Sequence, residues 1–342
     1  MNQLVTIDGS FGEGGGQILR TSLALSIITG RPIHIERVRA GRKKPGLMRQ
    51  HLTAVLAAAE ICGAEVDGAT LRSGALKFRP GRVRGGDYHF AIGTAGSACL
   101  VFQTVLPALL CADSPSRVIF EGGTHNPMSP PLDFIARSFL PHLRAMGASV
   151  AVALERPGFF PAGGGRFVAT IEPWTERVGI DLMEPGAVKA RRARALLAQL
   201  ARSIGARELR VIRDQLGWHA RECAIEVLER SHGPGNVLVC ELERESGVSM
   251  VCAFGQKGVP AERVARQAAE RTRALLESGA PVCQHLADQL MLPMALAGRG
   301  RYLTMPLSLH AQTNREVIGM FLDVDIDVHP LGDNRLVTIA AR

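Results

Sequence analysis

The sequence lacks the usual signatures of disulfide-bonded, zinc-binding and membrane proteins. Its seven cysteines are scattered without a Cys-x-x-Cys pair, which argues for reduced thiols and against a disulfide framework or a zinc site. The most apolar stretch, residues 98–112, is too short to cross a bilayer and contains Gln103 and Pro107. The first eight residues carry no basic region and no long apolar run. We therefore expect no signal peptide, no membrane segment and a cytoplasmic location.

Aromatic residues are scarce, and the standard phosphate-loop fingerprints are missing. Phe, Trp and Tyr make up 5% of the chain and show no pattern of the kind that stacks on single-stranded bases. Gly41 and Gly46 have the spacing of a Walker A loop, but Leu47 and Met48 follow in place of its Lys-Ser/Thr pair. Any contact with a nucleic acid should therefore involve its backbone and its terminus.

The composition is that of a globular protein with an excess of positive charge. The 342 residues are 46% hydrophobic and 21% charged, which suits one large or two ordinary domains with an ample core. The net charge of +8 suits a polyanionic partner. The sequence does not define an oligomeric state.

The order of predicted elements repeats along the chain. Residues 4–66 and 88–154 each show a strand, a helix, a strand, a helix and a strand, separated by loops. A third copy begins at His285, and its Gln289-to-Pro293 spacing repeats one in the second copy. We therefore predict a mixed α/β (α+β) fold whose main domain contains three repeated β-α-β-α-β units. The alternative is a chance similarity between amphipathic segments.

The pattern changes between the second and third copies. The glycine loops vanish from about residue 184 to 279, and this stretch is predicted to be a smaller inserted α+β domain. The predicted elements are an Arg-rich helix at 188–204, strands at 207–213 and 223–228, a hairpin at 236–254 and a helix at 261–277. The main domain would then be discontinuous and comprise residues 1–183 and 280–342.

His310 stands at a position where ligands often bind. The stretch from Tyr302 to His310 has the pattern of an apolar strand bent at Pro306, and Thr313 and Glu316 have capping-box spacing. His310 should therefore lie in a short loop between a strand end and a helix start, where anions are favoured. An imidazole there can act as a base or as a nucleophile towards phosphorus. The alternative is a hydrogen-bonded structural histidine.

Two further loops carry residues suited to phosphate. The glycine loop at residues 9–16 could cradle a phosphate or form a plain tight turn. Glu13 within it would repel a phosphate unless a bound Mg²⁺ lay between them. The second loop suits either arginine forks on a terminal phosphate or a solvated charged surface. Its basic residues are Arg37, Arg39, Arg42, Lys43, Lys44 and Arg49.

Together with other segments, these loops resemble the RNA 3′-terminal phosphate cyclase family over nearly the whole chain. The segments that carry the resemblance are Gly12-Glu-Gly-Gly-Gly-Gln-Ile-Leu-Arg20, Arg39-Ala-Gly-Arg42, Lys44-Pro-Gly-Leu47, Arg49-Gln-His-Leu52, Gly122-Gly-Thr, Gly158-Phe-Phe-Pro-Ala-Gly-Gly-Gly165 and His285-Leu-Ala-Asp-Gln289. The resemblance implies an ATP-dependent enzyme that acts on RNA with a 3′-terminal phosphate. His310 would attack the α-phosphorus and release pyrophosphate. AMP would pass to the RNA 3′-phosphate, and the 2′-OH would close a 2′,3′-cyclic phosphate and expel AMP.

The resemblance also implies roles for individual residues. His310, Arg39 and Arg42 would be catalytic, and Glu13 would hold a Mg²⁺ or Mn²⁺ ion. The nucleotide pocket would comprise Gln103, Pro130, His285, Leu286, Ala287, Asp288 and Gln289. The residues facing the substrate phosphate would be Gln17, Arg20 and Gln50.

Two alternative functions stay open at this point. A non-catalytic RNA-processing scaffold of the same fold should not become labelled by ATP. A transferase acting on small phosphorylated metabolites should turn over without RNA and form no adenylate. Relatives that act in ribosomal RNA maturation lack the histidine that matches His310, so its presence favours the enzyme.

Overall fold

The described part of the chain begins with a mixed sheet and two helices. The computed structural model describes residues 3–342. The first unit consists of β1 (Val5–Asp8), α1 (Gly16–Thr29), β2 (Ile33–Glu36), α2 (Arg49–Cys62), β3 (Glu65–Asp67) and β4 (Leu76–Arg79). Its strand order is β1-β2-β4-β3, with β1 parallel to β2 and the other neighbours antiparallel. Helix α2 ends at Gly63, whose φ of 63° is left-handed and favours glycine.

The second unit has the same topology. It consists of β5 (Gly86–Ala91), α3 (Ala98–Leu109), β6 (Ser116–Gly122), α4 (Leu132–Phe134), α5 (Leu140–Ala145), β7 (Val150–Arg156) and β8 (Gly165–Ile171). The strand order β5-β6-β8-β7 again has one parallel and two antiparallel pairs. A π-helical turn, Ile135–Phe139, connects α4 to α5. Such turns widen a helix and often occur at functional sites.

A different sheet follows the short strand β9 (Asp181–Leu182). The segment contains β10 (Val188–Ala198), α6 (Arg202–Leu216), β11 (Cys223–Val227), β12 (Gly235–Arg244), β13 (Gly247–Phe254) and α7 (Ala261–Ser278). The strand order is β11-β10-β12-β13. Helices α6 and α7 pack against each other, α6 contacting β10 and β11 while α7 contacts β12 and β13.

Two predictions for this segment are wrong. The residues predicted as an Arg-rich helix, 188–204, form mainly strand β10, and those predicted as a strand, 207–213, lie within α6. Alanine and arginine favour helices in isolation. Strand β10, however, pairs with β11 on one side and with β12 on the other, so hydrogen bonding within the sheet overrides the local preference. The remaining elements of the segment lie where they were predicted.

The third unit closes the chain. After β9 it continues with α8 (Gln284–Ala297), β14 (Arg299–Thr304), α9 (Leu309–Gly319), β15 (Val324–Leu331) and β16 (Asn334–Ala341). The prediction of a loop at His310 is wrong, because α9 begins at Leu309 and places His310 in its first turn. Ser308 caps this helix by accepting a hydrogen bond from the Ala311 N–H (3.1 Å).

The mixed α/β class is confirmed, and the three sheets of these units share one topology. The third sheet has the order β9-β14-β16-β15, with β9 parallel to β14 and the other pairs antiparallel. Each unit contains one strand more than predicted, namely β4, β8 or β16. The boundaries of the inserted and discontinuous domains stay a prediction. Within residues 3–342, no helix combines the length and apolar character needed to cross a bilayer.

The packing of the helices brings distant loops together. Helix α1 contacts both α3 and α9, and α8 contacts α9. The loop before α1 therefore meets the first turn of α9. Buried side chains of the three units and of the inserted segment belong to one continuous hydrophobic cluster. The inserted segment thus shares the core of the rest of the molecule.

Candidate active site

Three segments converge on His310. The His310 Nε2 atom lies 3.6 Å from the Glu13 Oε1 atom in the loop before α1. The guanidinium of Arg42, from the loop before α2, forms an ion pair with the same carboxylate. The Glu13 side chain is 6% exposed, whereas that of His310 is 47% exposed. A buried carboxylate is thus placed between an arginine and an accessible imidazole.

A threonine hydroxyl joins the Glu13 loop to the helix of His310. The Glu13 N–H donates a hydrogen bond to Thr313 Oγ1 (2.9 Å), and this hydroxyl donates to the Leu309 carbonyl (2.7 Å). Gly12 packs directly against the same hydroxyl in a left-handed conformation (φ 54°), and a β-carbon at this position would overlap it. The loop and the helix are therefore in close contact.

Arginines from two segments surround His51 at the start of α2. Burial, followed by the charges of Arg39, Arg20 and Arg42, lowers the pKa of His51 to about 3. The imidazole of His51 is therefore neutral, and its Nδ1 accepts a hydrogen bond from the Met48 N–H (3.3 Å). This concentration of positive charge suits a bound phosphate.

The arginines differ in how they are held. Arg39 donates to the carbonyls of Lys44 (2.9 Å) and Gly46 (2.7 Å), which fixes its side chain within its own loop. Arg20 donates to Gln17 Oε1 (2.8 Å). Burial lowers the pKa of Arg20 to about 10, so it stays charged at neutral pH. The site therefore keeps its cations over the physiological range.

Burial and the nearby arginines favour a neutral His310, although the Glu13 carboxylate 3.6 Å away favours the charged form. Burial lowers the pKa of His310, and the charges of Arg20, Arg42 and His285 act in the same direction. A neutral imidazole carries a free lone pair and can act as a nucleophile or as a base.

A polar chain links α1, α9 and α8 behind His310. Gln17 donates to Thr21 (3.2 Å), Thr21 donates to Asn314 Oδ1 (2.7 Å), and Asn314 donates to the backbone carbonyl of Asp288 (3.1 Å). Burial raises the pKa of the Asp288 carboxyl to about 6, although Arg20 and Asn314 oppose the shift. The Oδ1 atom of Asp288 is buried and has no hydrogen-bond partner among the described residues.

A cavity of about 410 Å³ opens beside His310. Its volume lies within the range of small-molecule sites. Its wall includes the following residues predicted for the site: Gln17, Arg20, Gln103, Pro130, His285, Asp288, Gln289 and His310. Apolar side chains from α3, α8 and the α4–α5 region, among them Leu106, Phe134 and Pro293, line the rest.

The inserted segment forms one side of this cavity. Met250, Cys252 and Phe254 of β13 line it, and Arg271 of α7 lies beside His285. The sequence-based prediction assigned no site residue to this segment. The structure shows that it contributes part of the wall.

Glu13 is suited to a divalent cation. Both of its carboxylate oxygens are buried and have no hydrogen-bond partner among the described residues, although Arg42 forms an ion pair with them. No group of three or more His, Cys, Asp and Glu side chains within residues 3–342 could hold a metal ion. A Mg²⁺ ion at Glu13 would take its remaining ligands from phosphate and water, as this ion commonly does.

Comparison with known proteins identifies the family. The family profile described as RNA 3′-terminal phosphate cyclase matches residues 11–328. The chain belongs to the RNA 3′-terminal phosphate cyclase family. A cyclase of this name from Pseudomonas aeruginosa UCBPP-PA14 is 53% identical over 340 residues, covering 99% of both chains. The Koribacter versatilis cyclase is 50% identical over 325 residues, covering 95% of this chain and 92% of the relative. The Salmonella enteritidis cyclase is 47% identical over 340 residues, covering 99% and 100%.

Several residues predicted for this cyclase-family site lie outside the cavity wall. Leu286 and Ala287 are buried in the core, on the inner face of α8. Gln50 accepts a hydrogen bond from the Ser97 N–H (3.0 Å) and so connects the first unit to the second. Glu13, Arg39 and Arg42 lie in the loops next to His310 rather than in the wall formed by the helices.

Besides the cavity residues of the inserted segment, sequence reasoning missed three buried polar residues of the site. His51, Thr313 and Asn314 are all buried, and their contacts reach Arg20, Glu13 and Thr21 respectively. The only signal in the sequence was that His51 follows the basic loop and that the other two closely follow His310.

Proposed function

We propose that the chain uses ATP to convert an RNA 3′-terminal phosphate into a 2′,3′-cyclic phosphate through a covalent His310–AMP intermediate. The observation that carries the proposal is the position of His310. Its half-exposed, neutral imidazole lies beside the cavity and close to Glu13 and Arg42. The family relationship supports the overall reaction, and the chemistry of these side chains supports the steps below.

The first step is self-adenylylation. A lone pair on His310 attacks the α-phosphorus of ATP, a P–N bond forms, and the bond to the pyrophosphate oxygen breaks. Pyrophosphate leaves, and AMP stays on the imidazole. Arg20 and Arg42 offset the negative charge that gathers on the phosphate oxygens. Glu13 would hold a Mg²⁺ or Mn²⁺ ion, which would neutralise further phosphate charge when bound.

The nucleotide would enter with its base in the cavity. The apolar wall at Pro130 and Phe134 suits the faces of an adenine ring. The Gln289 Oε1 atom is buried without a hydrogen-bond partner among the described residues. An exocyclic amine of the base would satisfy it, and the free Asp288 Oδ1 would accept from a ribose hydroxyl.

The second and third steps transfer AMP and close the ring. An oxygen of the RNA 3′-phosphate attacks the phosphorus of the adenylate, the P–N bond breaks, and His310 is restored. The vicinal 2′-OH then attacks the 3′-phosphorus, loses its proton and expels AMP. Because the hydroxyl is already adjacent, ring closure gains an effective molarity on the order of 10⁵ M or more. Pyrophosphate is thus released first and AMP last.

Labelling with α-³²P-ATP tests the nucleophile directly. His310→Ala should form no labelled protein, while His329→Ala, which changes an exposed histidine on β15, should label as the wild type does. Because His310 acts only in the first transfer, His310→Ala should still cyclise an RNA that carries a chemically installed 3′-adenylyl group. With a terminal 2′-deoxy,3′-phosphate, the wild type should stop at the adenylylated strand.

Undiminished labelling of His310→Ala would refute the mechanism. Absence of labelling in the wild type, despite ATP binding, would instead favour a non-catalytic scaffold.

A further inference from the structure

The hydroxyl of Thr313 connects the two segments that carry Glu13 and His310. Thr313 and Glu316 have the spacing of a capping box, which predicts that a helix begins at Thr313. In the structure, Ser308 caps this helix instead. Thr313 lies inside α9, one turn after His310, and is 1% exposed. Its hydroxyl accepts from the Glu13 N–H at 2.9 Å and donates to the Leu309 carbonyl at 2.7 Å. The hydroxyl thus holds the backbone of Glu13 against the first turn of α9.

The contact leaves little freedom to the loop. Gly12 packs on the Thr313 side chain so closely that a β-carbon would overlap the hydroxyl and lie 3.3 Å from the methyl group. The Glu13 side chain then reaches to within 3.6 Å of His310 Nε2. The distance between the carboxylate and the imidazole therefore depends on the backbone contact at Thr313.

We propose that Thr313 is a positioning residue that sets the place of Glu13 relative to His310 during self-adenylylation. The inference rests on the proposed function, because it assigns Thr313 to the first step of that reaction. Thr313 is buried and would act through the Glu13 backbone that it holds. A displacement of the loop by about 1 Å is enough to slow a reaction that depends on aligned groups.

Two substitutions separate hydrogen bonding from packing. Thr313→Val keeps the shape of the side chain but can neither accept from Glu13 nor donate to Leu309. It leaves the partly buried Glu13 N–H without its partner. Thr313→Ser keeps both hydrogen bonds and loses the methyl group. Gln312→Ala changes the neighbouring exposed residue and serves as the matched control.

The experiment measures the labelling rate at saturating ATP, the KM for ATP, and the exchange of the Glu13 amide hydrogen in the ligand-free protein. Thr313→Val should label about tenfold more slowly, as expected for the loss of one hydrogen bond that holds the Glu13 backbone, with a nearly unchanged KM. Its Glu13 amide should exchange faster. Thr313→Ser and Gln312→Ala should stay within about twofold of the wild type in each measurement.

Three results would each overturn the proposal. Thr313→Val could label at the wild-type rate, Thr313→Ser and Thr313→Val could label equally slowly, or the effect could be confined to the KM for ATP. If Thr313→Val does not fold, Thr313→Ala provides the same test, because it also removes the hydroxyl that accepts from Glu13 and donates to Leu309. A wild type that forms no His310 adduct contradicts the proposed function, whereas a normal wild type with an unaffected Thr313→Val contradicts this inference alone.

Discussion

The chemistry proposed for His310 requires a neutral imidazole. Burial and the nearby arginines favour that form, whereas the Glu13 carboxylate, 3.6 Å away, acts in the opposite direction. Burial is the main cause of its lowered pKa, and Arg20, Arg42 and His285 contribute. The arrangement has a second effect, because the arginines that favour the neutral imidazole are also placed to bind phosphate. The same arginines thus favour the neutral form of His310 and can bind the phosphate that it attacks.

The pH dependence of self-adenylylation follows from this arrangement. Protonation removes the lone pair, so the rate should fall at acid pH with a midpoint below the ordinary histidine value of 6.5. Arg42→Ala removes a cation, which should raise the midpoint towards 6.5 while lowering the maximal rate. The measurement is the initial rate of labelling between pH 4.5 and about 8, a range chosen to bracket the histidine pKa.

A control identifies the titrating group. The Asp288 carboxyl, with a pKa of about 6, titrates in the same range. Asp288→Asn should retain the acid limb if His310 is responsible for it. Loss of that limb, or a midpoint that Arg42→Ala does not move, would assign the pH dependence to another group.

A residue of the site could be predicted from the sequence when its type is unusual for the stretch around it. Glu13 stands out as an acid in a glycine loop, and His310 as a polar residue after an apolar run. Thr313 does not stand out, because its function depends on a partner 300 positions away in the chain. The sequence alone does not show that two residues so far apart in the chain are in contact in the fold.

Among the helices and strands, β10 and α9 show where local signals are insufficient. The alanines of β10 indicate a helix until hydrogen bonding to β11 and β12 is considered. Both Ser308 and Thr313 are suitable capping residues for α9. The choice between them depends on which hydroxyl remains available, and that of Thr313 is engaged with Glu13 and Leu309.

Strand β13 is expected to contribute to nucleotide binding. Phe254 faces the cavity, so Phe254→Ala should remove apolar contact and raise the KM for ATP about tenfold, the effect of losing part of a buried aromatic side chain. The rate at saturating ATP should change little, because His310 and its loops are untouched. Steady-state labelling kinetics measure both quantities.

A matched control lies on the same strand. Val251 is absent from the cavity wall, and it pairs with Cys240 in the register of β12 and β13. Val251→Ala should leave the KM within about twofold of the wild type even if it lowers stability. Equal increases in KM for both variants would show that β13 acts through general stability.

For the whole molecule, the main question is how the inserted segment is joined to the repeated units. Arg194 of β10 donates to Asp133 of α4 (2.8 Å) and to Glu241 of β12 (2.6 Å). Arg137 of the π-helical turn also donates to Glu241 (2.7 Å). Burial opposes ionisation of Asp133, but His125 and Arg194 outweigh it and hold its pKa well below the usual range. The mixed α/β class was predictable from the sequence, but this cluster was not. Asp133 on helix α4 and Arg194 on strand β10 are 61 positions apart in the chain.

This cluster should be important for stability because its charges are buried. The Arg194 side chain is 15% exposed and Glu241 is 3% exposed. Arg194→Met should remove the cation between two carboxylates and destabilise the protein by about 3–5 kcal/mol.

Arg192→Met provides the control, since Arg192 lies on the same strand, is 54% exposed and is 3.8 Å from Glu243. Its effect should stay within about 0.5 kcal/mol. Urea unfolding followed by tryptophan fluorescence measures both variants, because Trp174 and Trp218 lie on opposite sides of the junction. Equal stabilities of the two variants would mean that the ion pairs of Arg194 contribute little to holding the inserted segment in place.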